Sequence, residues 1–175
     1  MIAGSPGPRA AGRSGRAAGQ TVLQHGRAKA LRPLPRARRE AALRRGLAAY
    51  ARGDFFLAHE LLEPAWMGTA DPGERDLHQG LIKLAAAHVH AVRGNPLGVR
   101  KNLLGARARL ADAAAAGAGL AWGIDVGLLL SLVERALDGL TGAATGAASG
   151  AATEAGTVTR LAGAPLPIAG WTARR

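Results

Sequence analysis

Gly53-Asp54-Phe55-Phe56-Leu57-Ala58-His59-Glu60-Leu61-Leu62-Glu63-Pro64-Ala65-Trp66 is the stretch whose reading decides the fold. Gly53 suits the left-handed residue that closes a preceding helix, and Asp54 can cap the next one at once. On that second helix Phe55, His59, Glu63 and Trp66 share one stripe. Polar groups in an aromatic stripe are costly to bury alone, so His59 and Glu63 are expected to have partners. Pro64 has no N–H for the Glu60 carbonyl, which predicts a kinked or tightened last turn.

The same punctuation repeats outward from this segment. A first helix is expected over residues 36–52, ending at Gly53. Asp71-Pro72-Gly73-Glu74 reads as a helix start, with Asp as cap, Pro at the first position and Glu at the third. That third helix runs to Arg93 and stops at Gly94. Asn95-Pro96 opens a fourth, to about Ala116, and Asp125 caps a fifth that ends near Leu140. Leu77, Leu81, Leu84 and His88 form one stripe of the third helix, and His88 reads there as a core histidine. His90 lies on the Gln79–Lys83–Ala86 face and is expected to contact a neighbouring helix near Gly94. No segment alternates with period two between turn signals. The expected fold is therefore all-α, a compact antiparallel bundle of about five helices built from helical hairpins. Arg52-Gly53-Asp54 and Arg93-Gly94-Asn95 also align as a weak internal repeat, which supports helical hairpins and falls short of a solenoid.

Both ends of the chain read differently from its middle. The formal charge of +11 is concentrated in residues 1–45, which hold eleven Lys/Arg and one acid. Residues 46–140 hold nine Lys/Arg against ten Asp/Glu. Residues 1–35 are thus expected to form a basic, disordered arm, through which alone nucleic acid could be contacted. The bundle is expected over residues 36–141. Residues 142–175 read as an Ala/Gly/Thr-rich linker and tail, whose Ala164–Trp171 end could dock on the bundle. Arg9, Arg13 and Arg16 interrupt any apolar signal segment, and no stretch approaches a spanning helix, so a cytoplasmic protein is expected. There is no cysteine, which excludes disulfides, thiolate metal sites and cysteine nucleophiles.

Folding the second and third helices about a turn near Thr69 sets Glu63 opposite Arg75 and His59 opposite Gln79. His59, Glu63, Arg75 and Gln79 then form one network walled by Phe55 and Trp66, with Glu60 at its margin. Three readings stay open: a buried network that fixes the hairpin register, a small-molecule or peptide site, and a catalytic or metal site. The last resembles half of a zincin helix, with Glu63 where the second histidine would stand. His88 and His90 lie roughly 14 and 17 Å beyond Gln79 along the helix axis, too far to complete a site at His59. Neither a metal nor another cofactor is expected. Ser131 and Ser149 make no case for a serine hydrolase, and no phosphate-cradling glycine motif is present.

The motif from Gly53 to Trp66, with Glu74-Arg75, Gln79-Gly80-Leu81-Ile82-Lys83-Leu84-Ala85, His90, Arg93-Gly94-Asn95 and Gly123-Ile124-Asp125-Val126, resembles an uncharacterised prokaryotic helical family. That family is catalogued as domain of unknown function three-hundred-and-nine. The resemblance covers about residues 40–140; His88 and Val99 depart from it, standing where an apolar residue and an alanine are expected. It implies a compact helical bundle and supplies no reaction. The favoured expectation is a non-enzymatic binding or scaffold module for an unknown small molecule or protein, with homo-oligomers open. The alternative is a small enzyme, with or without the help of a metal, using His59, Glu60 and Glu63.

Overall fold

The computed structural model describes residues 20–141 and 147–168. Along the chain come β1 (Gln20–Gln24), β2 (Arg27–Leu31), α1 (Arg36–Ala51), α2 (Phe55–Met67), α3 (Pro72–Val92), α4 (Pro96–Ala115), α5 (Ala118–Trp122), α6 (Val126–Thr141) and α7 (Ala147–Gly163). The all-α expectation holds: packed helices dominate and the only sheet among the described residues is the two-stranded β1–β2.

Helix ends fall where the local chemistry places them. Asp54, Asp71 and Asn95 accept from the amides of Leu57, Glu74 and Gly98, and Asp125 accepts from Leu128. Each bond satisfies one of the amides that a helix start leaves unpaired. The two repeat turns close alike. Gly53 and Gly94 have φ of +81° and +63°, a region that L side chains avoid. The Gly53 amide bonds Tyr50 O and the Asp54 amide Ala49 O, and Gly94 and Asn95 repeat the pattern on Ala91 O and His90 O. These are Schellman closures. Helix α2 runs through Pro64 to Met67.

Helix α3 is the centre of the bundle and packs on α2, α4 and α7. Its core face buries Leu77, Leu81 and Leu84 against Leu47, Leu62, Leu103, Leu110 and Leu129. Burying each such leucine contributes about 1.5–3 kcal/mol. Small residues, among them Ala58, Ala85, Ala106 and Ala113, are buried between the helices. Gly80 lies against Leu110, Gly105 against Lys83 and Gly98 against the His90 ring. These contacts fix α3 and α4 as antiparallel, with Lys83 level with Gly105 and His90 level with Gly98.

Three features differ from the sequence reading. Within the supposed arm, residues 20–31 form an antiparallel hairpin whose two-residue loop, His25-Gly26, has φ of +49° and +73°. That is the loop geometry that matches strand twist. Its ties to the bundle run through Gln24 and His25. Residues 1–19 lie outside the described residues. The supposed linker also yields a helix, α7, because alanine is the best helix former. Val158 and Leu161, three residues apart, are buried on the core side. Leu166 and Ile168, within the tail that could dock, pack on the core; residues 169–175 lie outside the described residues. Third, the break after α4 holds the short helix α5 between Gly117 and Gly123, both with positive φ.

Candidate functional site

The expected pairing of Glu63 with Arg75, and of His59 with Gln79, is not what forms. Arg75 stands with its guanidinium 5.1 Å from the Trp66 ring centroid, and Phe55 stacks on His88 at 4.5 Å. Those two contacts displace the α2–α3 register by about one helical turn. Glu63 thereby comes level with Gln79, and His59 with Lys83. The physical cause lies at the end of α2, whose last carbonyls lack helical partners. Arg75 Nη1 donates to Trp66 O at 3.1 Å and to Thr69 O at 2.9 Å. Its Nε donates to Gln24 Oε1 at 3.4 Å.

This end of α3 is a nearly saturated polar network. Trp66 Nε1 donates to Gln24 Oε1, and Gln24 Nε2 donates to Asp76 Oδ1 at 2.8 Å. His25 Nε2 donates to the same Asp76 oxygen at 2.9 Å, and Arg109 adds a guanidinium at 3.4 Å. Glu74 receives Arg39 through both carboxylate oxygens and also Thr69 Oγ. Ligand atoms of His25, Asp76 and Asp112 lie within 4.8 Å of one another, a spacing that a cation could bridge. Arg109 already places positive charge at both carboxylates, so the cluster is balanced by the protein itself. Arg75 is 1% exposed, and burial lowers its pKa, an effect that Asp76 partly offsets.

Further along, α3 turns a partly open face outward between α2 and α4. Gln79, Lys83, Ala86 and His90 line this face, and all are half-buried. On α4 the matching stripe is Gly98, Asn102, Gly105 and Arg109. On α2 it is bordered by His59 and Glu63. We refer to this strip as the furrow; the hairpin closes one end of it. His90, Asn102 and Arg109 have partners, while other polar groups of the strip do not. Gln79 Oε1 is shielded from solvent with no partner. Among the described residues neither Glu63 nor Lys83 makes an ion pair or a hydrogen bond. His59 Nδ1 meets only the neighbouring, exposed Glu60 carboxylate, at 3.2 Å. Burial, and then the charges of Arg109, Lys101 and Lys29, hold the Lys83 ammonium below the ordinary lysine range.

The six residues singled out from the sequence therefore divide. Trp66 and Arg75 belong to the saturated end. His59, Glu63 and Gln79 border the furrow, and Glu60 is exposed beside it. The sequence reading missed Gln24, His25 and Lys29 because it left the hairpin unfolded. It named Lys83 without giving it a role and missed Lys101 and Arg109, because their charge cancels in the total over residues 46–140. The lysine–glycine pair Lys83/Gly105 becomes visible only once α3 and α4 are set in register.

Two buried histidines on α3 are used differently. His88 is a satisfied core histidine, as expected: its Nδ1 donates to Leu161 O at 2.7 Å and its Nε2 accepts from Tyr50 Oη at 2.8 Å. Burial lowers its pKa, against the opposing hydrogen bond to Leu161, and burial raises that of Tyr50. His78 is fully buried with both ring nitrogens unpartnered, edge-on to Trp122. Desolvation, and then the charge of Arg39, push its pKa down to about 3. His90 fits over Gly98 and meets Asn95, which is the helix contact near Gly94 that its position predicts.

A separate cleft of about 560 Å³ between the end of α4, α5 and the start of α6 is lined by Gly117, Leu120, Ile124, Asp125 and Val126. Its one carboxylate, Asp125, already caps α6. No described helix is long and apolar enough to cross a membrane.

No curated protein and no solved structure matches the chain. The turn Gly123–Val126, part of the resemblance, lies beyond the stretch that the family model covers. Residues 43–102, from within α1 to the first turns of α4, match the model of a family described as Domain of unknown function (DUF309).

Proposed function

We propose that this chain is a non-enzymatic binding module whose ligand seat is the furrow over α3, with the saturated network at the hairpin end as its scaffold. One observation carries the reading. Glu63 of α2 and Gln79 and Lys83 of α3 are half-buried without protein partners among the described residues, and the register set by Arg75–Trp66 and Phe55–His88 brings Glu63 level with Gln79. Half-buried polar groups left unpaired are costly to a fold that does not use them. A ligand that fits them recovers that cost on binding. We place the module in the cytoplasm.

The enzyme alternative has less support. His59, Glu60 and Glu63 share an outer stretch of α2, where the His59 ring bonds only its sequence neighbour. A base, an acid and an electrophilic group do not converge there.

The test is chemical-shift mapping on the full chain against a panel of anionic, cationic and neutral small molecules and short peptides. The reading expects binders to move the amides of Glu63, Gln79, Lys83 and Gly105 together. Binders that leave this stripe untouched, or no binder in the panel, would overturn it.

A further inference from the structure

The charges around Lys83 are arranged more specifically than the proposal above requires. The outer carbons and the ammonium of Lys83 lie over Gly105, where a Cβ would come within 2.9–3.1 Å of them. The missing side chain at Gly105 thus leaves the ammonium room on the α4 surface. Lys101 and Arg109 lie one turn to either side of Gly105 on α4, so three cations follow one strip. Lys29 shares the inward face of the hairpin with Gln24, being two pairs along the same ladder: Gln24 pairs with Arg27, and Val22 with Lys29. Gln24 is anchored on Trp66 and Asp76, so this face of the hairpin is directed at α2 and α3. Among the described residues Lys29, Lys83 and Lys101 make no ion pair.

The cations are also bounded. Glu60 and Glu63 stand on the α2 side, and Asp76 and Asp112 at the hairpin end. Asp76 and Asp112 at the hairpin end would repel a long polyanion following the strip, which favours a compact anion. An ammonium on a flexible stem with cations on its flanks suits a group with several charged oxygens. We propose that the furrow binds a compact phosphate dianion, seated on Lys83 and flanked by Lys101 of α4 and Lys29 of the hairpin. This inference rests on the reading of the furrow as a ligand seat. It adds the ligand class, and positive charge from Lys83, Lys101 and Lys29, none of which the sequence reading placed in its polar constellation.

The experiment is calorimetric titration of the full chain with inorganic phosphate and, separately, with methyl phosphate. Saturable binding of either is expected, weakened about tenfold or more in Lys83→Gln. Lys101→Gln, at an exposed position that does not hold the fold, should weaken it about threefold and reduce its salt dependence. Tighter binding of methyl phosphate than of inorganic phosphate would mark the head of a larger ester as the ligand; equal binding would mark free phosphate. Both results support the inference. Binding that both substitutions leave unchanged, or no saturable binding in the parent, overturns it. If the panel above still moves Glu63, Gln79 and Lys83 with uncharged or cationic molecules, only the ligand class has failed. If nothing touches the stripe, both have.

Discussion

The two stretches of α3 that face away from the core were built on opposite plans. At its N-terminal end Arg75 and Asp76 lie inside a network that draws on α2, α4 and the hairpin, and most donors there meet an acceptor, Arg75 Nη2 being the buried exception. One turn further on, Gln79 and Lys83 stand beside Glu63 and meet no partner among the described residues. All five residues are polar and none is fully exposed. The difference teaches that motif residues on one helix can divide between holding the fold and being left for something else, and that satisfaction of hydrogen bonds separates the two.

The largest expected effect falls on the saturated end. Arg75→Ala removes the donor to Trp66 O and Thr69 O and leaves a cavity under the Trp66 ring. It should cost about 3–5 kcal/mol, read as a lowered urea midpoint. A loss under about 1 kcal/mol would mean that water replaces the guanidinium, and the contrast between the two stretches would weaken.

Acid comes next. His78 has a pKa pushed down to about 3 in the folded protein, against an ordinary histidine value when unfolded. The unfolded chain therefore binds the extra proton first. Stability is full above about pH 6.5 and falls by about 1.4 kcal/mol per pH unit below it, until the folded pKa is reached. The lowered pKa of His88 acts in the same direction. Urea midpoints at pH 7.5, 6 and 5 check this. His78→Leu should flatten the slope and not destabilise at neutral pH, because neither ring nitrogen has a partner to lose.

A smaller effect is expected at the hairpin. His25→Ala removes one of two side chains that tie the hairpin to α3 and should cost about 0.5–1 kcal/mol. Amide exchange across the β1–β2 ladder should accelerate while that of α3 does not. Least of all, Glu63→Gln and Lys83→Gln should each melt within about 0.5 kcal/mol of the parent. A penalty of several kcal/mol for Glu63→Gln would restore the buried pair with Arg75 that the sequence suggested.

What could be read in advance was local. Gly53, Gly94, Asp54, Asp71-Pro72, Asn95-Pro96 and Asp125 mark helix ends by chemistry that needs no distant partner, and those ends fall as expected. The α2–α3 register was not readable, because a slip of one turn keeps both apolar stripes facing. Carbonyls at the end of α2, which the sequence does not display, chose between the alternatives. The hairpin escaped notice because its strands are five residues long and its outer face carries Ala28 and Ala30. The candidate site was legible on its α2 side, in His59 and Glu63, and illegible on its α4 side, where glycines carry the geometry.

The bond from His88 to Leu161 O has a consequence for how this chain can vary. In the Ala/Gly/Thr-rich stretch before Leu161, spacing is the constraint. One residue inserted within α7 would rotate Leu161 by about 100° relative to the residues before it. A carbonyl would then be missing at the centre of the bundle, where the His88 ring is stacked on Phe55 of the motif helix. Insertions and deletions there should be tolerated far less than substitutions, which makes a repetitive segment act as a measured spacer.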